Sequence, residues 1–151
     1  MIATSHHLPE IAIVSLDLQF DHIAFNTPDG LLQLSLEKLL GVAPGPRPPF
    51  PFPGEWLYQG DQALVHLIQR SDLQGAQLSH LALRTNQPAS MLLEHVRASG
   101  LPYRIAVVPR ELTCQIFVTL PGGMVLELAA PMAGSEVEIT HDYQQHQQAP
   151  A

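Results

Sequence analysis

The sequence predicts an α+β fold built from two copies of one unit, each a strand, a helix and then two or three further strands. Three observations predict it. The stretch FDHIAFNT, residues 20–27, returns as LSHLALRT, residues 78–85, with a histidine at the same place. Each copy is followed by an amphipathic segment that closes on a glycine, and each of those by short β-rich runs. At the offset of 58 residues between His22 and His80, His, Ala and Thr are identical and the apolar positions stay apolar. A period of this length marks a duplicated structural unit.

The elements follow in chain order. FDHIAFNT alternates polar and apolar residues at period two, which predicts a strand with His22, Ala24 and Asn26 on one face. Ile23 and Phe25 then lie on the opposite face, the one packed under a helix. That helix is PDGLLQLSLEKLLG, with Asp29 able to cap its start and Gly41 to end it. The next run, GVAPGPRPPFPFPG, stands where a strand is expected, but its prolines remove ladder donors and predict a loop or irregular edge. GEWLYQGDQALVHLIQ supplies two strands, the second with Leu64, His66 and Ile68 on one side.

The second copy repeats the order. LSHLALRT sets His80, Ala82 and Arg84 on one face, and NQPASMLLEHVRASG is an amphipathic helix with Pro88 near its first turn and Gly100 past its end. PYRIAVVP, TCQIFVTL and GGMVLELAA predict three strands, the last with Val125, Glu127 and Ala129 on one side. His66 and Glu127 close their copies at an offset of 61 residues. The expected domain spans 16–132, in modules of about 16–72 and 76–132, and 136–151 reads as a mobile tail.

Composition bounds the partners. The chain has 151 residues, 46% of them hydrophobic and 14% charged, which suits one globular domain. A net charge of -7 with only seven Lys and Arg argues against a nucleic-acid surface and for a small-molecule partner. No apolar run approaches the roughly 20 residues that cross a bilayer, so no membrane partner is expected. One cysteine, Cys114, excludes an internal disulfide and reads as a small buried residue, and MIATSHHLPE lacks the pattern of a secretory signal, so a cytoplasmic location is expected.

His22, His66, His80 and Glu127 therefore occupy corresponding positions of a repeat, each flanked by apolar or small residues. Imidazole nitrogen and carboxylate oxygen are ligands for Zn, Fe, Mn, Ni and Co, and rigid strands fix their directions. A divalent ion would also neutralise Glu127, and open positions on it could hold a bidentate substrate. Trp56, Tyr58 and Arg47 are candidates to line the pocket mouth, Arg47 as the partner of a substrate carboxylate. Arg84 and Asn26 share a face with the histidines, with Arg104 and Gln115 behind them as candidates. His95 reads as solvent-facing, and His6, His7, His141 and His146 lie near the termini with no role assigned.

DHIAF with His22, VHLI with His66, SHLAL with His80 and LEL with Glu127 together resemble the vicinal oxygen chelate superfamily. Its members include glyoxalase I, extradiol dioxygenases, fosfomycin-resistance enzymes and methylmalonyl-CoA epimerase. The likeness covers about residues 18–131, and the run GPRPPFPFPGEWLYQGDQALVHLI is similar to a bacterial branch of small glyoxalase/dioxygenase-like proteins. It implies two βαβββ modules forming a curved mixed sheet around a metal-binding cleft, with His22, His66, His80 and Glu127 as ligands and a homodimer as the assembly.

The resemblance also implies chemistry: a metal-dependent glyoxalase-like lyase or isomerase acting through an enolate-like or oxyanion state, with His66 and Glu127 as catalytic residues. Glyoxalase I usually has Glu where this chain has His66, and LPGG at 120–123 stands where members often have DPDG. His22, His80 and Glu127 alone would suit an Fe(II) extradiol dioxygenase. A third implied reading is a non-catalytic binding protein of the bleomycin-resistance kind.

Overall fold

Two antiparallel strands, one from each copy of the repeat, form the centre of a single mixed sheet. The computed structural model describes residues 15–108, 110–135 and 139. The first copy contributes β1 (Gln19–Thr27), α1 (Leu31–Leu40), β2 (Ala43–Gly45), β3 (Gly54–Gln59) and β4 (Gln62–Gln69). From the second come β5 (Gln77–Arg84), α2 (Ala89–Ser99), β6 (Tyr103–Val107), β7 (Thr113–Thr119) and β8 (Val125–Pro131). The eight strands run in the order β2-β3-β4-β1-β5-β8-β7-β6. β1 pairs with β5 antiparallel, and each first strand pairs parallel with the last strand of its own copy, β1 with β4 and β5 with β8. The repeat seen in the sequence is thus a two-fold repeat of βαβββ modules about the β1–β5 seam.

Both helices end alike because both need a left-handed residue. Gly41 and Gly100 each have φ of 71°, and their amides donate to the Glu37 and Arg97 carbonyls at 3.0 and 3.2 Å. A side chain there would strain the backbone. At the start of α1 the residue Gly30 occupies the cap position, one residue later than expected, and Asp29 Oδ1 accepts from the Leu31 amide at 3.0 Å.

The proline-dense run is not wholly loop. Its first residues, Ala43, Pro44 and Gly45, form the three-residue edge strand β2 against β3, and the prolines that follow lie outside any strand. An edge position is where Pro44 is tolerated, since its missing donor is not required by a second neighbour.

Two apolar clusters sit under the helices. In the second module Leu92, Leu93 and Val96 of α2 pack on Ile105, Cys114, Ile116, Val118 and Leu128, and Ile139 is buried with them. The first-module cluster is smaller: Val42, Leu57, Val65 and Leu67, packed by Ile23, Phe25, Leu32 and Leu36. No residue of α1 is fully buried. Ile139 apart, the expected tail at 136–151 lies outside the described residues, as do His6, His7, His141 and His146. Among the described residues no helix is long and apolar enough to cross a membrane.

Candidate metal centre

Register places the polar residues in two short rows across the sheet. Ala82 on β5 lies between His22 on β1 and Glu127 on β8, and Ala24 on β1 lies between His66 on β4 and His80 on β5. Both alanines are fully buried. A methyl group between two long polar side chains leaves the space above the sheet to those side chains.

His22, His80 and Glu127 are 2%, 4% and 2% exposed, and one donor atom from each lies within 4.8 Å of the others. Glu127 Oε2 is 3.5 Å from His22 Nε2, and its Oε1 is 3.4 Å from His80 Nε2. Neither Nε2 has a hydrogen-bond partner. Buried polar atoms are rarely left so, because the desolvation is not repaid. Ligand bonds of about 2.0–2.2 Å place neighbouring donors on one ion about 3–3.5 Å apart, so the three residues fit a shared divalent cation.

The other ring nitrogens are held from behind. His22 Nδ1 meets Asp21 Oδ2 at 2.5 Å, and His80 Nδ1 meets Ser79 Oγ at 2.9 Å. Arg84 Nη1 donates to Asp21 Oδ1 at 3.1 Å and to the Phe20 carbonyl at 2.9 Å, while its Nη2 donates to Gln19 Oε1 at 3.1 Å. Burial alone would raise the Asp21 carboxyl, but the His22 hydrogen bond and the Arg84 guanidinium hold it below the ordinary aspartate value.

His66 lies outside this group of donors. Its ring stacks on that of His22, with centroids 3.5 Å apart, and Trp56 stacks on its far side at 3.9 Å. Burial first, and then the charges of His22 and His80, push the His66 imidazolium down to about 2, and a hydrogen bond to the Ala63 backbone only partly opposes them. The ring is therefore neutral.

His22, His66, Glu127, Trp56 and Arg84 line an open cleft of about 730 Å³, together with Gln115. Arg47 and Tyr58 do not line it. Arg47 lies against the stacked Phe50 and Phe52 rings and donates to the Phe52 carbonyl at 2.8 Å, and the Tyr58 hydroxyl donates to the Pro46 carbonyl. Arg104 lies over the Phe117 ring at 4.1 Å, and Phe117 in turn contacts His80 edge-on. Burial lowers the Arg104 guanidinium, with Glu127 opposing. Asn26 is buried with an unpartnered Oδ1. His95 is half-buried rather than solvent-facing, its Nδ1 3.0 Å from the Met91 carbonyl oxygen.

Sequence reading missed Asp21 and Ser79, although both stand directly before a repeated histidine. It also missed Asp61 and Glu111 at the cleft, for which no sequence signal existed.

No family model matches the chain, and no curated protein matches it by sequence. Solved structures do. A Mn(II)-bound glyoxalase from Novosphingobium aromaticivorans aligns with a TM-score of 0.57 at 16% identity, over 74% of this chain and 38% of that one. For homoprotocatechuate 2,3-dioxygenase from Arthrobacter globiformis the values are 0.58 and 15%, over 85% and 41%. A glyoxalase I variant from Zea mays gives 0.52 and 22%, over 74% and 42%. The chain thus spans about two fifths of the length of the structures it resembles. With its paired βαβββ modules and its eight-stranded mixed sheet, the chain has the fold that these glyoxalase and extradiol dioxygenase structures share.

Proposed function

We propose that the protein is a metal-dependent enzyme that holds a small substrate by two neighbouring oxygen atoms, and that its chemistry is oxygen-dependent cleavage of a catechol-like ring. The observation that carries this reading is the buried trio His22, His80 and Glu127 with two unpartnered Nε2 atoms. Two histidines and one carboxylate, with positions left open, suit Fe(II) in oxygenases. A structure of that class, homoprotocatechuate 2,3-dioxygenase, is among those sharing the fold.

An ion held there supplies positive charge for two adjacent substrate oxygens and, if it is iron(II), the electron transfer that oxygen chemistry needs. This chain's own residues do the rest. His66, on the cleft wall beside His22, is placed to take the proton that a substrate hydroxyl gives up on binding, a role that requires the bound substrate to raise its basicity above that of the empty cleft. Trp56 keeps the His66 ring upright and closes one side of the cleft.

A second reading, a glyoxalase-like lyase or isomerase, is favoured by the position of His66 beside His22, from which it could serve as base or fourth ligand. One experiment separates them. Protein reconstituted anaerobically with Fe(II) is given a catechol and air, and protein loaded with Zn, Ni or Co is given a hemithioacetal. Oxygen uptake with a ring-cleaved product supports the first reading. Hemithioacetal turnover without oxygen uptake replaces it with the second, and equal ligand binding with and without metal replaces both with a binding protein.

A further inference from the structure

In each copy of the repeat the residue before the histidine is the extra residue of a β-bulge. Phe20 faces Leu83 and His22 faces Ala82, which leaves Asp21 without an opposite number on β5. Ala24 faces His80 and Phe25 faces Leu78, which leaves Ser79 without one on β1. In a regular strand Asp21 and His22 would point to opposite faces. A bulge re-aims the side chain, and here each bulged residue reaches the Nδ1 atom of the histidine that follows it, at 2.5 Å for Asp21 and 2.9 Å for Ser79.

The two bulges are alike in geometry but not in chemistry. A carboxylate only accepts, so Asp21 requires a proton on His22 Nδ1, and in the neutral ring this leaves the Nε2 lone pair bare. A hydroxyl donates or accepts, so Ser79 tolerates either form of His80. Asp21 is itself fixed from the opposite strand by Arg84, whose guanidinium is tied to Phe20 and Gln19.

From this geometry we infer that Asp21, clamped by Arg84, is a positioning residue: it holds His22 in the Nδ1-protonated form with Nε2 facing Glu127 and free to ligate a cation, and Ser79 is its weaker counterpart for His80. The inference deepens the metal-centre reading and rests on it for its purpose, though the form of His22 can be observed without metal. Partners of this kind behind a metal-bound histidine typically contribute 10–100-fold to affinity.

The test uses the full chain in native form and as Asp21→Ala, Asp21→Asn and Ser79→Ala, with circular dichroism to show that each variant folds. Nitrogen-15 NMR of the metal-free proteins reads which ring nitrogen of His22 carries the proton, and chelator competition reads Mn(II) and Zn(II) affinity. The native protein is expected to show the Nδ1-protonated form. Asp21→Ala is expected to lose that form and about 10–100-fold in affinity. Asp21→Asn, which keeps an acceptor, recovers the form and part of the affinity, and Ser79→Ala loses less than Asp21→Ala. An Nε2-protonated His22 in the native protein, or native affinity in a folded Asp21→Ala, overturns the inference. If the native protein takes up neither metal, the metal-centre reading falls, and the nitrogen-15 result alone decides whether Asp21 sets the form of His22.

Discussion

His66 lies flat against His22, their ring planes inclined by 14° with centroids 3.5 Å apart, so this residue of the cleft wall touches a candidate metal ligand through its face and not through a ring nitrogen. Trp56 completes the stack, and it is the only tryptophan in the chain. Its emission is therefore a local reporter of the site. Adding Mn(II), Ni(II) or Fe(II) to the metal-free protein is expected to quench Trp56 fluorescence with a stoichiometry of about one, and Glu127→Ala is expected to abolish the response. Quenching that persists in Glu127→Ala would place the ion elsewhere. Trp56→Ala is expected to cost about 1 kcal/mol from the lost ring contacts, as measured by urea unfolding.

Glu127 is a buried carboxylate facing two imidazole nitrogens that lack partners, an arrangement that costs stability until a cation fills it. The metal-free Glu127→Gln protein is accordingly expected to be as stable as the native one, or more stable by about 1–3 kcal/mol. With metal the order reverses. At a hundredfold excess over Kd the ion stabilises the native protein by about 2.7 kcal/mol and leaves Glu127→Gln unmoved. Thermal melts of both proteins, with and without metal, check this; a metal-free Glu127→Gln that melts well below native would show the carboxylate to be structural.

The histidine repeat and its helices were legible in the sequence because their signals are local: period-two alternation around His22 and His80, leucine spacing, and Gly41 and Gly100 at helix ends. The bulges were not. An extra residue at Asp21 or Ser79 precedes the alternating run and leaves the pattern from His22 to Asn26 intact, so only the pairing of two strands far apart in the chain reveals it. The orientation of His66 was hidden for another reason. Strand position fixes the face on which a side chain emerges, whereas its rotamer is set by neighbours such as Trp56. The edge strand β2 was obscured by Pro44, which an edge tolerates and a central strand would not.

Cys114 lies in the second-module core with no exposed surface, and burial pushes its thiol up to about 11. A raised value means that the native state holds the proton more tightly than the unfolded chain does. Its contribution to stability is then complete below the ordinary thiol value of 9.0 and is lost as pH rises toward 11. Urea midpoints are expected to fall between pH 9 and 11, and Cys114→Ala is expected to lessen the fall attributable to this group. At pH 8 a thiol reagent is expected to label the native protein only at the rate of opening; rapid labelling without denaturant would contradict the burial.

Ala82 and Ala24 offer a test of the site that leaves every candidate ligand in place. Ala82 separates His22 from Glu127 in one cross-strand row, and Ala24 separates His66 from His80 in the other. Leucine at either position brings three more carbons into the space those side chains use, at a cost of about 1–3 kcal/mol from overpacking. The functional consequences differ, because only the Ala82 row contains two members of the His22, His80 and Glu127 trio. Ala82→Leu is expected to reduce metal affinity below detection in chelator competition while its circular dichroism stays native. Ala24→Leu keeps the trio's His22–Glu127 row and is expected to bind metal more weakly than native but measurably, with its larger loss in turnover, through displacement of His66. Equal affinities in both variants would show that the rows do not divide the work between holding a metal and moving a proton.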